Sequence, residues 1–432
     1  MGHAIEFGRN PLDLLLRGYR QFGEIFEFRM AGQYFVVFAG PEAHDSFFRA
    51  SESQLNAREV YRFTVPIFGK GVAYDIDSEK MAEQLSFLFP LLREGEMQRY
   101  TAIMQQETEQ YISKWSKQGI IDLPGMTNEL TVNIASRCLL GEEIRERLDL
   151  EFAALFHDLQ GGINTIGFFA PYLPIPAHQR RDKARKKIFH LVSEILEERR
   201  KHNKKADDFM HALMIAKYHD GKKLTDDEIT GLLLTVLFAG QHTSSVLAAW
   251  TLIELIKHPE YLSRVHDEIF SIYKESSKLT LASLKQQSVL ERAIRECERV
   301  HPPLIILIRK VKQDFQYGPY LVPAGKLAAV SPLLSHQLPG VFNDPEMWNP
   351  DRFTPPRSEE KQYTHTLIGF GGGKHRCMGM HFAYLQIKAL LTILLSKFDF
   401  ELVGHDPVPD YGSWVTGPIR PCNVRYKSRD VL

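Results

Sequence analysis

The 432 residues carry 53 Lys plus Arg against 53 Asp plus Glu, with a pI near 7.3. The chain therefore has no net field to attract nucleic acid, and a small or uncharged substrate is expected. Its length exceeds the ~250 to 300 residues at which single cores stop growing. No Ser/Gly/Pro-rich linker or charge block divides it, which predicts one large domain over residues 1–432 with two packed lobes. The four cysteines, Cys138, Cys297, Cys377 and Cys422, are too scattered for a disulfide framework and point to a reducing, cytoplasmic setting. Apolar runs such as Leu232 to Ala239 and Ala389 to Leu395 fall short of the ~18 to 20 residues that span a bilayer. No signal peptide is visible, and the abrupt opening Met1-Gly2-His3-Ala4 leaves room for an upstream anchor or fused partner.

In chain order, a short helix is predicted around Pro11 to Phe22, followed by two alternating runs, Ile25 to Met30 and Tyr34 to Phe38, flanking Ala31-Gly32-Gln33 as a hairpin. Gly40-Pro41 stops the second strand and opens a helix through Phe48. Residues Tyr61 to Asp75, YRFTVPIFGKGVAYD, are aromatic at 61, 63, 68 and 74 without helical or strand period, and are broken by Pro66, Gly69 and Gly71. This ordered loop reads either as an aromatic plug over a core or as the wall of an apolar cavity. Helical patterns occupy Glu79 to Arg93, Glu96 to Lys117 and Met126 to Leu140. Gly161-Gly162 and Phe168 to Pro176 mark a loop. From Gln179 to Arg200 an apolar stripe of Ile188, Leu191, Val192, Ile195 and Leu196 lies opposite Arg180, Arg181, Lys183, Arg185, Lys186 and Lys187, which read as a solvated face rather than a membrane contact.

Thr225 and Glu228 form a capping box that opens a helix to about Lys257. It is far longer than the usual ~11 to 12 residues and reads as a central spine. Its middle, Ala239-Gly240-Gln241-His242-Thr243-Ser244-Ser245, is locally weak: glycine costs about 1 kcal/mol relative to alanine there, and Thr243 can bond back to the Ala239 carbonyl and open the helix. That predicts either an ordinary kink or a groove able to hold dioxygen and water. Glu291 to Arg299 reads as a helix with Glu296 and Arg299 on one face. His301-Pro302-Pro303 leads to a buried strand, Leu304 to Ile308, ending on Arg309. Tyr320 to Ser331 gives further strand around a turn at 323–325, and FNDPEMWNPDRF at 342–353 is an irregular meander. Beyond the last helix, His381 to Lys397, come strands at Phe398 to Val403 and Cys422 to Tyr426, with Trp414-Val415 at a turn between them.

Before that last helix, Phe370-Gly371-Gly372-Gly373-Lys374-His375-Arg376-Cys377-Met378-Gly379 brackets one cysteine with glycines. A cysteine just ahead of a helix N-terminus and between basic residues is placed to be a thiolate, the form that iron needs as axial ligand. A plain buried cysteine, or a zinc site with His375 and His381, are the alternatives for these residues alone, the latter short of four ligands.

The segment resembles the haem-binding signature of the cytochrome P-450 superfamily, FxxGxxxCxG, matching at Phe370, Gly373, Cys377 and Gly379. Glu296-Cys297-Glu298-Arg299 resembles the superfamily's ExxR, and Arg352 sits where its partner arginine lies, implying a buried network of Glu296, Arg299 and Arg352. Ala239 to Thr243 resembles the oxygen-activation motif, with His242 in place of the usual acid. AGQHTSS and YxFxxPxFGxxVxYD together resemble one family, the sterol 14α-demethylases, as do GHAIEFG and HPPLIILIR.

The resemblance implies a mainly α fold with small β-sheets, triangular, with a helix-rich and a β-rich lobe. It implies haem b (iron protoporphyrin IX) on the Cys377 thiolate, cradled by Phe370 and Gly371, with Tyr61, Tyr74, Arg309 and His375 at the propionates. Phe63, Phe68, Ala239, His242, Leu304, Ile306, Ile308 and Trp414, with Tyr61 and Tyr74, would line the substrate cavity. Leu85 stands where some relatives carry lysine, which removes one propionate contact.

The implied reaction is removal of the 14α-methyl group of lanosterol or a C4-methylated relative by three oxygenations with formate release, Thr243 and His242 serving proton delivery. Phe63 leans towards a C4-monomethyl sterol. O2 and an electron-donor protein (ferredoxin, flavodoxin or reductase) are implied partners, azoles are implied ligands of the haem iron, and a monomer is expected. The alternatives are a thiolate-haem monooxygenase of another lipid or terpenoid, and a haem sensor or carrier without turnover.

Overall fold

The computed structural model describes residues 2–146, 150–163, 165–273 and 278–429. Among these the strands are β1 (Ile25–Met30), β2 (Gln33–Phe38), β3 (Leu55–Asn56), β4 (Gln118–Asp122), β5 (Leu307–Val311), β6 (Phe315–Tyr317), β7 (Tyr320–Val322), β8 (Leu327–Val330), β9 (Phe398–Val403) and β10 (Asn423–Ser428). The chain divides into two units. The first comprises Met1–Asn56, Met104–Thr131 and His242–Leu432, and the second Ala57–Ile103 and Val132–Gln241.

All of these strands belong to the first unit. β1 and β2 form the expected hairpin, from Ile25↔Phe38 to Met30↔Gln33, across a turn where Ala31 and Gly32 take φ of 50° and 82°. The five-stranded order is β1-β2-β8-β5-β3, with β2 parallel to β8 and the other pairs antiparallel. Val36, Phe38, Phe47, Val311, Val330 and Ile368 meet in one cluster on this sheet. β5 begins at Leu307, three residues later than the sequence predicts, and continues to Val311. Its ladder explains the shift: Leu307 pairs with Val330, the last residue of β8, so 304–306 have no strand opposite them, and Arg309 lies mid-strand against Ala328. β4, which sequence reading missed, pairs with β10 about 300 residues further on, a contact without local signal.

The Ser288–Val300 helix buries Leu290, Ala293, Ile294 and Cys297, an i, i+3, i+4, i+7 stripe. The Met380–Lys397 helix is buried along nearly its whole length.

Among the described residues, the second unit's regular elements are helical. The pattern from Glu79 to Arg93 resolves into Ser78–Ser86 and a 3-10 turn at Phe89–Leu92, because Pro90 has no N–H to continue an α-helix. The Pro176–Lys201 helix buries Ile188, Val192, Ile195 and Leu196 as expected, but its basic face is not uniformly solvated. Lys183, Lys186 and Lys187 are exposed, whereas Arg181 and Arg185 are buried.

The Asp226–Lys257 helix starts in the second unit and ends in the first. Its capping box is present: the Thr225 N–H donates to Glu228 Oε2 at 2.8 Å, and the Glu228 N–H to Thr225 Oγ1 at 3.2 Å. The helix is uninterrupted through residues 239–243, so the weak stretch does not break it. By length and composition it could cross a membrane, which the shorter apolar runs did not indicate, but 61% of its most apolar window is buried inside the protein.

Candidate functional site

In the first unit, the 370–379 loop is shaped by its glycines. Gly371 and Gly373 adopt φ of 69° and 60°, and a Cβ on Gly373 would lie 2.6 Å from the Phe48 carbonyl oxygen. The loop closes when the Cys377 N–H donates to the Phe370 carbonyl at 2.9 Å. Cys377 stands two residues ahead of Gly379, which precedes the Met380–Lys397 helix.

All four cysteines are free thiols, and Cys377 alone among them is exposed. Its environment departs from expectation: burial pushes the thiol above its ordinary value, although the N–H groups of Gly379 and Met380 and the Arg376 charge pull it down. The residue thus has an accessible side yet is otherwise enclosed by protein. A cationic iron, rather than the protein alone, would deprotonate this sulfur. Among the described residues, no group of three or more His, Cys, Asp or Glu comes together to hold a metal, so the donor set is one sulfur and not a zinc cage.

Arg309 and this loop meet around the end of the Pro41–Arg49 helix. Arg309 is buried, donates to the Phe47 carbonyl at 2.7 Å, and lies over the Phe47 and Phe48 rings at 4.5 and 5.8 Å. His375 Nε2 is 2.5 Å from Glu52 Oε1, a carboxylate partner that sequence reading did not identify. Ile308 is buried, Leu304 and Ile306 are half-buried, and Trp414 is 44% exposed. His242 and Thr243 are half-buried. Burial lowers the His242 pKa, so the ring is neutral near neutrality, and its buried Nδ1 lacks a hydrogen-bond partner.

The expected network is present and larger than expected. Arg299 Nε and Nη2 donate to the two Glu296 oxygens at 2.8 Å each, and Arg352 Nε donates to Glu296 Oε1 at 3.0 Å. Arg352 Nη1 also reaches Glu359 Oε2 at 2.7 Å. The remaining guanidinium N–H groups donate to carbonyls of His336, Asn343, Asp344, Pro345 and Met347, clamping the meander. Glu359 was missed because nothing in its local sequence marks it as buried.

In the second unit, residues 58–75 form short helical turns at Arg58–Tyr61, Arg62–Thr64, Val65–Phe68 and Ala73–Asp75. The Tyr61 ring lies 5.0 Å from Tyr74 and 6.2 Å from Phe63, and Phe63 lies 5.2 Å from Phe168. Phe68 packs edge-on against Phe238 at 5.7 Å, beside Ala239, which is exposed. Gln84, next to Leu85, donates from Nε2 to the Gly71 carbonyl and to Tyr218 Oη, both at 2.8 Å. Arg185 Nη2 donates to the Phe68 carbonyl at 3.2 Å and to Asp227 Oδ1 at 2.8 Å, joining three segments.

A model of the family described as Cytochrome P450 matches residues 1–422. The fold is similar to that of retinoic acid bound cyanobacterial CYP120A1, with a TM-score of 0.89 at 23% identity over 99% of this chain and 97% of that one. The chain belongs to the cytochrome P450 family, whose cofactor is a haem ligated by a cysteine thiolate. It is 40% identical to a sterol 14-demethylase of Arabidopsis thaliana, over 100% of this chain and 90% of that protein. It is 38% identical to an obtusifoliol 14-alpha demethylase of Sorghum bicolor (100% and 89%), and 36% identical to a lanosterol 14-alpha demethylase of Bos taurus (99% and 86%). Within the cytochrome P450 family it is a member of the sterol 14-demethylase group. The accessible Cys377, with the buried Arg309 cation near its loop, fits the haem these relatives imply.

Proposed function

We propose that this chain acts as a single haem domain that removes the 14α-methyl group of a sterol precursor, releasing it as formate and leaving a 14,15 double bond. The observation that carries this reading is one accessible cysteine, ahead of a helix buried along nearly its whole length, in a chain that aligns end to end with sterol 14-demethylases. Bound haem supplies the oxygen-activating iron chemistry for three successive oxygenations. Cys377 provides the sulfur ligand, and Arg309, His375, Tyr61 and Tyr74 supply cationic or hydroxyl donors for the two propionates.

Phe63, Phe68, Ala239, Leu304, Ile306, Ile308 and Trp414 supply the apolar surface that a rigid, nearly all-carbon substrate requires. Thr243 would supply a hydroxyl that donates a proton during oxygen activation. His242, neutral through burial, can accept a proton at one nitrogen while donating from the other, so it relays protons where the wider superfamily's motif carries an acid.

Electrons come from a separate protein, a ferredoxin, flavodoxin or reductase domain, docking on the exposed Lys374 and Arg376. Azoles bind as nitrogen ligands to the haem iron. The chain works as a monomer, and its four free thiols suit a cytoplasmic setting.

Spectral titration with a panel of 14α-methyl sterols tests the substrate: the expected result is a shift of the haem to high spin with these sterols and not with their 14-desmethyl products. The same shift with unrelated terpenoids, and none with sterols, would overturn it.

A further inference from the structure

Directly beneath the cysteine loop lies a carboxylate that the haem-binding signature and the Glu296 network leave without a role. Glu298 follows Cys297 in the Ser288–Val300 helix and is 2% exposed. Its side chain turns away from the Glu296 network. Glu298 Oε2 accepts the Tyr384 hydroxyl at 2.6 Å, from the Met380–Lys397 helix that follows Cys377. Gly369, immediately ahead of the loop, packs against this carboxylate, and its N–H dipole lowers the carboxyl's pKa. A Cβ on Gly369 would lie 2.5 Å from both Cγ and Oε1 of Glu298, so the backbone rests directly on the carboxylate. The Tyr384 ring in turn packs on Phe370, centroids 5.5 Å apart, and the Phe370 carbonyl receives the Cys377 N–H.

One buried carboxylate thus meets the chain on both sides of Cys377: by packing at Gly369 before the loop and by a hydrogen bond at Tyr384 after it. Arg295 and Arg376 are the cations felt at this site. Burial is the main influence on the carboxyl and raises it to about 7, against the pull of Tyr384, the two arginines and the Gly369 N–H.

We propose that Glu298, acting through Tyr384 and Phe370, is a positioning residue for Cys377 that fixes the loop and sets how strongly the sulfur donates to iron. Two consequences separate. The hydrogen bonds hold the sulfur in place, and the charge adds negative potential on the sulfur side of the haem. A bland buried glutamate would do neither, since leucine would fill the same space without needing a partner.

The inference rests on Cys377 being the iron ligand, and the thiolate-type ferrous carbonyl spectrum of the wild-type holoprotein is the control. Its absence would refute that assignment rather than the positioning role. Three variants are compared as holoproteins: Tyr384→Phe, Glu298→Leu and Glu298→Gln. In Tyr384→Phe and Glu298→Leu the thiolate-type carbonyl band should decay to the thiol type several-fold faster than in wild type. Glu298→Gln keeps an acceptor for Tyr384 and should hold the band. Its haem reduction potential should nevertheless rise, measured on the alkaline side of neutrality where the wild-type carboxyl is ionised. Where Glu298→Leu yields no holoprotein, Tyr384→Phe decides the first arm. A wild-type band lifetime in Tyr384→Phe, or an unchanged potential in Glu298→Gln, overturns the proposal, even if urea denaturation shows lowered global stability.

Discussion

Replacing Glu296 by Gln preserves shape and removes one charge from a fully enclosed cluster. Glu296, Arg299 and Arg352 each have 0% relative exposure, and Glu296 accepts from Arg299 twice, from Arg352 once and from the Asn349 N–H at 2.8 Å. In the native cluster three guanidinium groups, Arg299, Arg352 and the partly exposed Arg357, face two carboxylates, Glu296 and Glu359. With Glu296 neutral, Glu359 is shared between Arg352 and Arg357, and Arg299 keeps only neutral acceptors and is left as an uncompensated buried charge. Breaking one partner of a buried pair costs about 3 to 5 kcal/mol. Against a typical total of about 5 to 15 kcal/mol, that is a large fraction of the stability. Because the same arginines clamp carbonyls of 336–347, the cost should appear both in urea denaturation and as reduced bound haem per protein. A Glu296→Gln loss below about 1 kcal/mol, with haem content intact, would refute the view that Glu296 is the charge compensating the buried Arg299.

Three further outcomes follow from named contacts. Burial holds His44 at about 4 and His336 at about 3, with their rings bonded to Ser335 and to the Ile368 N–H. Since these folded values lie below the ordinary 6.5, both histidines favour the fold above that pH. Stability should fall as pH drops from about 6.5 towards 4, by a few kcal/mol each at about 1.4 kcal/mol per pH unit. Replacing His336 by Gln should flatten that acid limb in urea titrations, and an unchanged limb would contradict it. Arg185→Met should cost about 1 to 3 kcal/mol locally, because the Phe68 carbonyl and Asp227 lose a charged donor. Amide exchange should then rise selectively at 68–71, and uniform protection would contradict Arg185's role in joining these segments. Thr225→Ala should cost about 1 kcal/mol by unmaking the capping box, read by urea denaturation.

What the sequence revealed depended on how local the determinants were. The hairpin at residues 25–38, the Thr225 cap and the Phe370–Gly379 loop are all specified within a few residues, and each is present as read. The Glu296-Arg299 pair is likewise local, at i and i+3, but Arg352 and Glu359 join it from about 56 and 63 residues away. Strand β4 and the late start of β5 were illegible because their ladders are set by partners remote in sequence. Arg181 and Arg185 read as solvated because composition cannot reveal that Asp182 and Asp227 receive them. Basic neighbours and a helix start argued for a lowered Cys377 pKa, yet burial outweighs both. The pairing of His375 with Glu52 also needs the fold, since 323 residues separate them.

The measurement that bears most directly on the central reading is product analysis of the holoprotein with a reductase, dioxygen and a 14α-methyl sterol. The account predicts one formate released per sterol consumed and a 14-desmethyl product carrying a 14,15 double bond. It also predicts that Thr243→Ala spends electrons without matching product. Hydroxylation elsewhere on the sterol, or turnover without formate, would contradict it.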